Sequence, residues 1–325
     1  MKTLLNLAKI TAMGILFLSF TACSDDDDAM VTPEPEVTVT IADFVAGNEN
    51  YTSLLAALEV ADLTATLDGT ANYTVFAPDN DAFAAFLEAN GFASLDEVPV
   101  PALRQVLLNH VQPGVIMSSD LTTGYIESQA VGSASGENLS MYISTVDGVT
   151  INGVSNVVTP NVEVDNGVIH AVDAVIGLPD ITTFALADPS FEILVAALTR
   201  EEDFTFVETL MATSDPAPFT VFAPTNDAFI ALLEELEVSS LDDISTEVLA
   251  ATLSYHVVAN ANVRSTDLTD GMEVPTLANQ SFTVNLGDDV TITDANGRTS
   301  TVIAADVQAN NGVIHVLDTV LLPEL

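Results

Sequence analysis

The four histidines, His110, His170, His256 and His315, have the widest chemical range of any side chains in this chain. Each imidazole can donate or accept a hydrogen bond, titrate near neutral pH or ligate a metal. They come as two pairs with nearly equal internal separation, one pair in each half of the chain. Two histidines per half would suit a metal or acid–base site. Their register suits a core position better. Leu103, Leu107 and His110 fall at i, i+4 and i+7, as do Leu249, Leu253 and His256, so each of these histidines shares a helical face with leucines. His170 alternates with Val168 and Val172, and His315 with Val313 and Leu317, on one face of a strand. A buried imidazole needs only hydrogen-bond partners. A zinc site usually takes three or four ligands, and the one cysteine, Cys23, stands far from all four histidines in sequence. The expectation is a structural role, with no metal and no cofactor.

Other chemistry finds less support. Gly132-Ser133-Ala134-Ser135-Gly136 resembles a nucleophile elbow, but its central residue is Ala134 and not serine. Metalloprotease, phosphate-loop and dinucleotide motifs are missing from the sequence. Asp294-Ala295-Asn296-Gly297 could begin a calcium loop but lacks the later ligands, so a tight turn is expected. With 47 acidic residues, a catalytic carboxylate pair cannot be picked out. The chain reads as a binding protein, not an enzyme.

Behind the paired histidines stands a duplication. Thr74-Val75-Phe76-Ala77-Pro78-Asp79-Asn80-Asp81-Ala82-Phe83 has a near-copy in Thr220-Val221-Phe222-Ala223-Pro224-Thr225-Asn226-Asp227-Ala228-Phe229. Asn166-Gly167-Val168-Ile169-His170 recurs, at almost the same offset, as Asn311-Gly312-Val313-Ile314-His315. A repeat of this length folds around its own core, which gives one domain at 38–178 and another at 179–325. No long linker separates them, so they are expected to abut.

The start of the chain has the grammar of export. Lys2 and Lys9 precede or flank an apolar run that ends at Phe20, followed by Thr21-Ala22-Cys23. A lone cysteine in that place resembles the lipobox of bacterial lipoproteins, which implies a signal peptide over 1–22 and a lipidated (palmitate-type) Cys23. Residues 23–37, with Asp25-Asp26-Asp27-Asp28 and Pro33-Glu34-Pro35-Glu36, read as an acidic, disordered tether. The aspartate run also resembles the export signal of surface lipoproteins in Bacteroidetes. Beyond Lys9 the only basic residues are Arg104, Arg200, Arg264 and Arg298, against a formal net charge of −41 for the whole chain. Such a surface repels nucleic acid and anionic headgroups. Contact with a membrane would run through the lipid anchor alone.

The elements follow from periodicity. Leu54, Leu55 and Leu58, and Leu194, Val195 and Leu198, show helical spacing. Tyr73 to Phe76 reads as a strand, after which Asp79 or Asn80 caps a helix with a Phe83, Phe86, Leu87 stripe. Phe229, Leu232, Leu233 and Leu236 form that stripe in the second copy. Ser94-Leu95-Asp96-Glu97 looks like a capping box opening a short helix, and Pro101 suits the first turn of the next. Hairpins turn at Asp147-Gly148, Gly287-Asp288, Asn166-Gly167 and Asn311-Gly312, with final strands over 168–176 and 313–321. Helices early and hairpins late in each copy indicate an α+β fold.

These landmarks together resemble the fasciclin domain. Its first signature, Thr-hydrophobic-Phe-Ala-Pro leading to Asn/Asp-Ala-Phe, stands at 74–83 and 220–229. Its second, Asn-Gly-hydrophobic-hydrophobic-His ending near a proline, stands at 166–179 and 311–323. The resemblance implies two tandem β-wedge domains of about seven strands, each with helices packed around it. It also implies non-catalytic adhesion to matrix, polysaccharide or cell-surface protein. The family's Tyr-His pair is matched by Tyr255-His256, and domain one departs from it with Asn109-His110. In animal relatives this pair is implicated in receptor binding, so these four residues are the candidate binding residues. Packing at a helix end is the competing role. A polyanion meeting an acidic partner would need bridging divalent cations. Some relatives resemble carriers of hydrophobic pigments and a few resemble cell-wall esterases, which leaves both as alternatives. The expected location is the bacterial cell envelope, lipid-anchored to the outer membrane and surface-exposed.

Overall fold

The computed structural model describes residues 39–324. Cys23, the signal segment at 1–22 and the tether at 23–37 lie outside the described residues.

Domain one begins with helices α1 (Ile41–Ala46), α2 (Thr52–Val60) and α3 (Thr64–Leu67), then strand β1 (Tyr73–Pro78). Helices α4 (Asn80–Ala89) and α5 (Val100–Leu108) follow, and then strands β2 (Val111–Pro113), β3 (Gly124–Val131), β4 (Asn138–Ser144), β5 (Thr150–Ile151), β6 (Ser155–Val164) and β7 (Gly167–Val172). Domain two repeats the order. Its helices are α6 (Ile181–Ala187), α7 (Glu192–Leu198), α8 (Phe206–Met211), α9 (Asn226–Glu235) and α10 (Thr246–Tyr255). Its strands are β8 (Phe219–Pro224), β9 (Val257–Ala259), β10 (Met272–Pro275), β11 (Ser281–Leu286), β12 (Val290–Thr293), β13 (Thr299–Ala309) and β14 (Gly312–Leu317).

Each domain has one seven-stranded sheet, ordered β2-β1-β7-β6-β5-β4-β3 in the first and β9-β8-β14-β13-β12-β11-β10 in the second. The hairpins pair antiparallel, but β1 runs parallel to β7 and β8 parallel to β14. The first and last strands of each copy therefore lie side by side, second and third from one edge of the sheet. Alternation along β1 sends Val75 and Ala77 to the helices and Phe76 to the opposite face. There Phe76 packs with Met141, Ile143 and Ile151 inside the wedge. Phe222 plays the same part in domain two against Phe282, with ring centroids 4.8 Å apart.

Of the two residues expected to cap α4, Asp79 does so, by accepting from the Ala82 N–H at 2.8 Å. Other local expectations need correction. Ser94 forms no capping box. Residues Leu95–Glu97 make a single 3₁₀ turn, and the Glu97 carboxylate takes the Ala93 N–H instead. The last strands are shorter than the valine-rich runs suggest and end at Val172 and Leu317. Beyond Val172 the chain turns away, because the Asp173 carboxylate accepts the Asn156 N–H and holds a bend there.

The domains touch directly. The Gln308 N–H of β13 donates to Ser140 Oγ of β4 at 2.9 Å in a buried position. Tyr125 of β3 donates its hydroxyl to Asp188 at 2.9 Å and packs edge-on against Phe184 of α6, with centroids 5.5 Å apart. Arg264 reaches Glu137 at 3.1 Å, but Glu137 is half exposed, so this ion pair adds little. Hydrogen bonds to a carboxylate are the stronger kind. Replacing Tyr125 with Phe and Ser140 with Ala together is expected to weaken the junction by about 2–3 kcal/mol. Urea unfolding followed by circular dichroism should then split into two transitions where the parent shows one. A single unchanged transition in the double variant would refute this coupling.

Candidate functional site

All four histidines are buried and all four bond to the backbone through both ring nitrogens. His110 and His256 follow the ends of α5 and α10. Their Nδ1 atoms lie 2.7 Å from the carbonyls of Val106 and Thr252, one turn back. Their Nε2 atoms accept from the Ile176 and Leu321 N–H groups at 2.8 and 2.9 Å. A backbone N–H can only donate, so Nε2 is the bare nitrogen and Nδ1 carries the proton. His170 and His315 use the other tautomer. Their Nδ1 atoms accept from the N–H groups of Asn161 and Asp306, and Nε2 donates to the carbonyls of Ile116 and Val263 at 2.9 Å. Asn161 and Asp306 occupy the left-handed region, φ 60° and 61°, where β6 and β13 bulge. These two histidines therefore hold the bulges.

Burial pushes the pKa of His110 and His256 down to about 4, against the opposing pull of the helix carbonyl. It lowers His170 and His315 as well. An imidazole engaged at both nitrogens has no lone pair left for a metal or a substrate proton. Among the described residues, no cluster of three or more His, Cys, Asp or Glu is placed to hold a metal ion.

The other candidate binding residues are also inside. Asn109 is fully buried, donates to the Gly177 carbonyl at 2.9 Å and accepts from Ser128 Oγ at 2.9 Å. Tyr255 is fully buried, donates to the Ser281 carbonyl at 2.8 Å and accepts from the Ala295 N–H at 3.1 Å. Its ring stands edge-on to Phe282 with centroids 6.0 Å apart. The folded domains keep Asn109, His110, Tyr255 and His256 from a partner on their surface. The two copies differ here in how one interior position meets its hydrogen bonds, by a short amide or by a long phenol.

The remaining sequence candidates take structural places. Asp294 closes a turn by accepting from the N–H groups of Asn296 and Arg298, both at 2.9 Å. Ser133, of the apparent nucleophile elbow, is an interdomain clasp. Its N–H and Oγ both bond Asn310 at 3.0 Å.

Four repeated polar residues do more than their sequence positions suggest. Asn166 accepts from the Ile41 N–H and donates to the carbonyls of Leu67 and Gly69, which binds the first and third helices to the last hairpin. Asn311 does the same with Ile181, Leu210 and Ala212. Asn80 and Asn226 fasten α2 and α7 by accepting from Ser53 and Ile193 and donating to Glu49 and Pro189. Their retention in both copies was the available signal.

The fasciclin-domain profile matches residues 49–179 and 189–323. The chain belongs to the fasciclin-domain family. Protein sll1483 of Synechocystis is 37% identical over 138 residues, which cover 42% of this chain and 73% of that protein. Human periostin is 28% identical over 273 residues, covering 82% of this chain but only 30% of periostin. Among solved structures, the FAS1 domain pair of the insect cell adhesion molecule Fasciclin I superposes with a TM-score of 0.51 at 19% identity. It covers 83% of this chain and 97% of that one, a likeness of fold.

Both fasciclin domains commit their cations internally. Arg104 donates to the carbonyls of Ala61 and Asp62, and Arg200 to those of Leu241 and Ile244. Arg298 holds the Val320 carbonyl and Glu235, and Arg264 holds Glu137 and Asp306. With no lysine after Lys9 and the arginines largely covered, the charges that the fasciclin pair offers to solvent over residues 39–324 are mainly carboxylates.

Proposed function

We propose that this protein is an adhesion protein of the bacterial cell envelope that works by binding and not by catalysis. Fasciclin domains are, in general, adhesion and binding modules of extracellular proteins. The reading rests on one observation: two such domains in direct contact, with their arginines engaged internally and their surface anionic. Tandem modules gain avidity against a repeating target such as a matrix polymer, a polysaccharide or the surface of a neighbouring cell. An anionic face approaching an acidic polymer is repelled unless divalent cations lie between them. In this reading Cys23 carries the lipid, the tether spaces the domains from the outer membrane, and the domains face outward.

Adhesion of cells bearing the protein to an acidic polysaccharide is expected to fall at least about tenfold in excess chelator and to return with added calcium or magnesium. Binding unchanged by chelator would refute cation bridging. In the same cells, Cys23→Ser is expected to shift the protein from the membrane fraction to the soluble one. Probing a glycan and matrix-protein array with the purified pair would assign the partner class.

A further inference from the structure

The helical side of domain two contains a cavity of about 110 Å³ between α6, α7 and α8 and the sheet. Val221 and Ile314 of β8 and β14 form its floor, and Leu253 of α10 closes one side. Ala185 of α6 and Val195 of α7 stand at the facing walls. Leu186, also in the lining, is 72% exposed, so the cavity reaches the surface there. No charged residue lines it.

Three polar side chains line the cavity, and each already has a partner. His256 is bonded at both nitrogens. Thr182 donates to Asp180 at 2.7 Å, and Thr199 to the Val195 carbonyl at 2.8 Å. Water needs two to four polar partners to stay in such a space, so an apolar chamber stays dry. A dry cavity of roughly 150 Å³ takes up benzene; this one is smaller, about 110 Å³, so a bound ring or chain must extend partly beyond it. An open mouth lets a slightly longer molecule project outward.

The corresponding positions of domain one carry different side chains. The repeat equates Ile41 with Ile181, since both donate their N–H to the asparagine of the last hairpin. It equates Ser53 with Ile193, since both donate to the asparagine that opens the fourth helix. The same register sets Val45 at the place of Ala185 and Leu55 at the place of Val195. Domain two thus has the smaller side chain at these two positions, and the larger one at Thr182 and Leu186, whose counterparts are Ala42 and Ala46. Cavities cost stability, and this one is confined to residues that leave a hydrocarbon-lined opening.

We propose that domain two binds a small uncharged hydrocarbon group, either a free monocyclic molecule or the alkyl end of a neutral one. A carboxylate drawn into this chamber would find neither a cation nor a free donor. The proposal does not rest on the adhesion reading, and its failure would leave that reading intact.

The test is a titration of the full two-domain protein, followed by methyl NMR, with toluene, 1-hexanol and hexanoate at pH 7.5. Toluene and 1-hexanol are expected to shift the methyls of Leu253 and Ile314 saturably, and hexanoate to bind at least about tenfold more weakly. Toluene and hexanol distinguish a free ring from an alkyl end, and saturable binding of either at these methyls supports the site. Ala185→Val with Val195→Leu, which restores the domain-one pair, is expected to weaken binding at least about tenfold while the domain-one methyls keep their positions. Val195→Leu alone serves if the double variant does not fold. Absence of saturable shifts in the parent, shifts of equal size in domain one, or hexanoate binding as tightly as hexanol would each overturn the proposal.

Discussion

Gly167→Ala is expected to unfold domain one, and Gly312→Ala domain two. A methyl group at residue 167 would overlap the Tyr73 carbonyl and press on the Ile41 side chain, and one at 312 would do the same to Phe219 and Ile181. Each glycine sits where the first strand lies parallel to the last, Tyr73 opposite Gly167 and Phe219 opposite Gly312. Gly167 also has φ 155°, which an alanine adopts only under strain. Neither the backbone carbonyl nor its strand, paired on both sides, can step aside. The cost should exceed about 4 kcal/mol, a large part of the 5–15 kcal/mol that holds an ordinary domain together. Gly177→Ala is the control, since a methyl there meets nothing within 4 Å. Its effect should stay within about 0.5 kcal/mol. Urea unfolding of the three variants decides the matter, and a Gly167 variant as stable as the Gly177 control would contradict the steric account.

Mild acid is expected to weaken both domains through their buried histidines. In the unfolded chain His110 and His256 take up a proton near pH 6.5, whereas in the fold burial holds them neutral down to about 4. Above pH 6.5 both states are neutral and the histidines contribute no pH dependence. As pH falls through the window from 6.5 to 4, the unfolded state binds protons that the native state refuses, so stability falls. The loss is about 1.4 kcal/mol per pH unit for each histidine, or about 2 kcal/mol per domain at pH 5. It levels off below 4, where both states are protonated. His170 and His315 act in the same direction. Urea midpoints measured between pH 7.5 and 5 should show the decline. His110→Gln with His256→Gln should flatten its slope, even though those variants start less stable. Midpoints independent of pH over that range would exclude these histidines as the titrating groups.

The sequence made the elements legible where one side chain serves its own neighbourhood. The strand from Tyr73 and the helix capped at Asp79 follow from local pattern, and the hairpin turns follow from Asn-Gly and Asp-Gly pairs. The histidines read correctly as core residues because their spacing matched that of the leucines beside them. Whatever depends on distant partners stayed hidden. Periodicity does not say which strands pair, so the parallel contact of β1 with β7 had no local sign. Asn166 looked like a turn residue, yet it bonds to Ile41, Leu67 and Gly69, which come about a hundred residues or more earlier. Ser133 looked like a fragment of a catalytic motif because its partner, Asn310, belongs to the other domain. Tyr255 and Asn109 suggested an exposed binding pair because a family motif says nothing of burial. A cavity lined by ordinary apolar side chains, Ala185 and Val195 among them, leaves almost no mark on hydrophobic patterning.

The parallel pairing also sets an order of events during folding. Residues 73–78 rest against residues 167–172, so β1 has no partner on that side until the last hairpin of its domain exists. Closing a loop of that length carries an entropic cost before any contact across it is gained, and folds rich in such contacts form slowly. The helices and outer hairpins can form early, but β1, which carries Phe76, is not joined to them through the sheet until β7 arrives. Each copy is thus a circuit completed by its final strand, and a chain cut short before that strand would present its central apolar face to whatever is near.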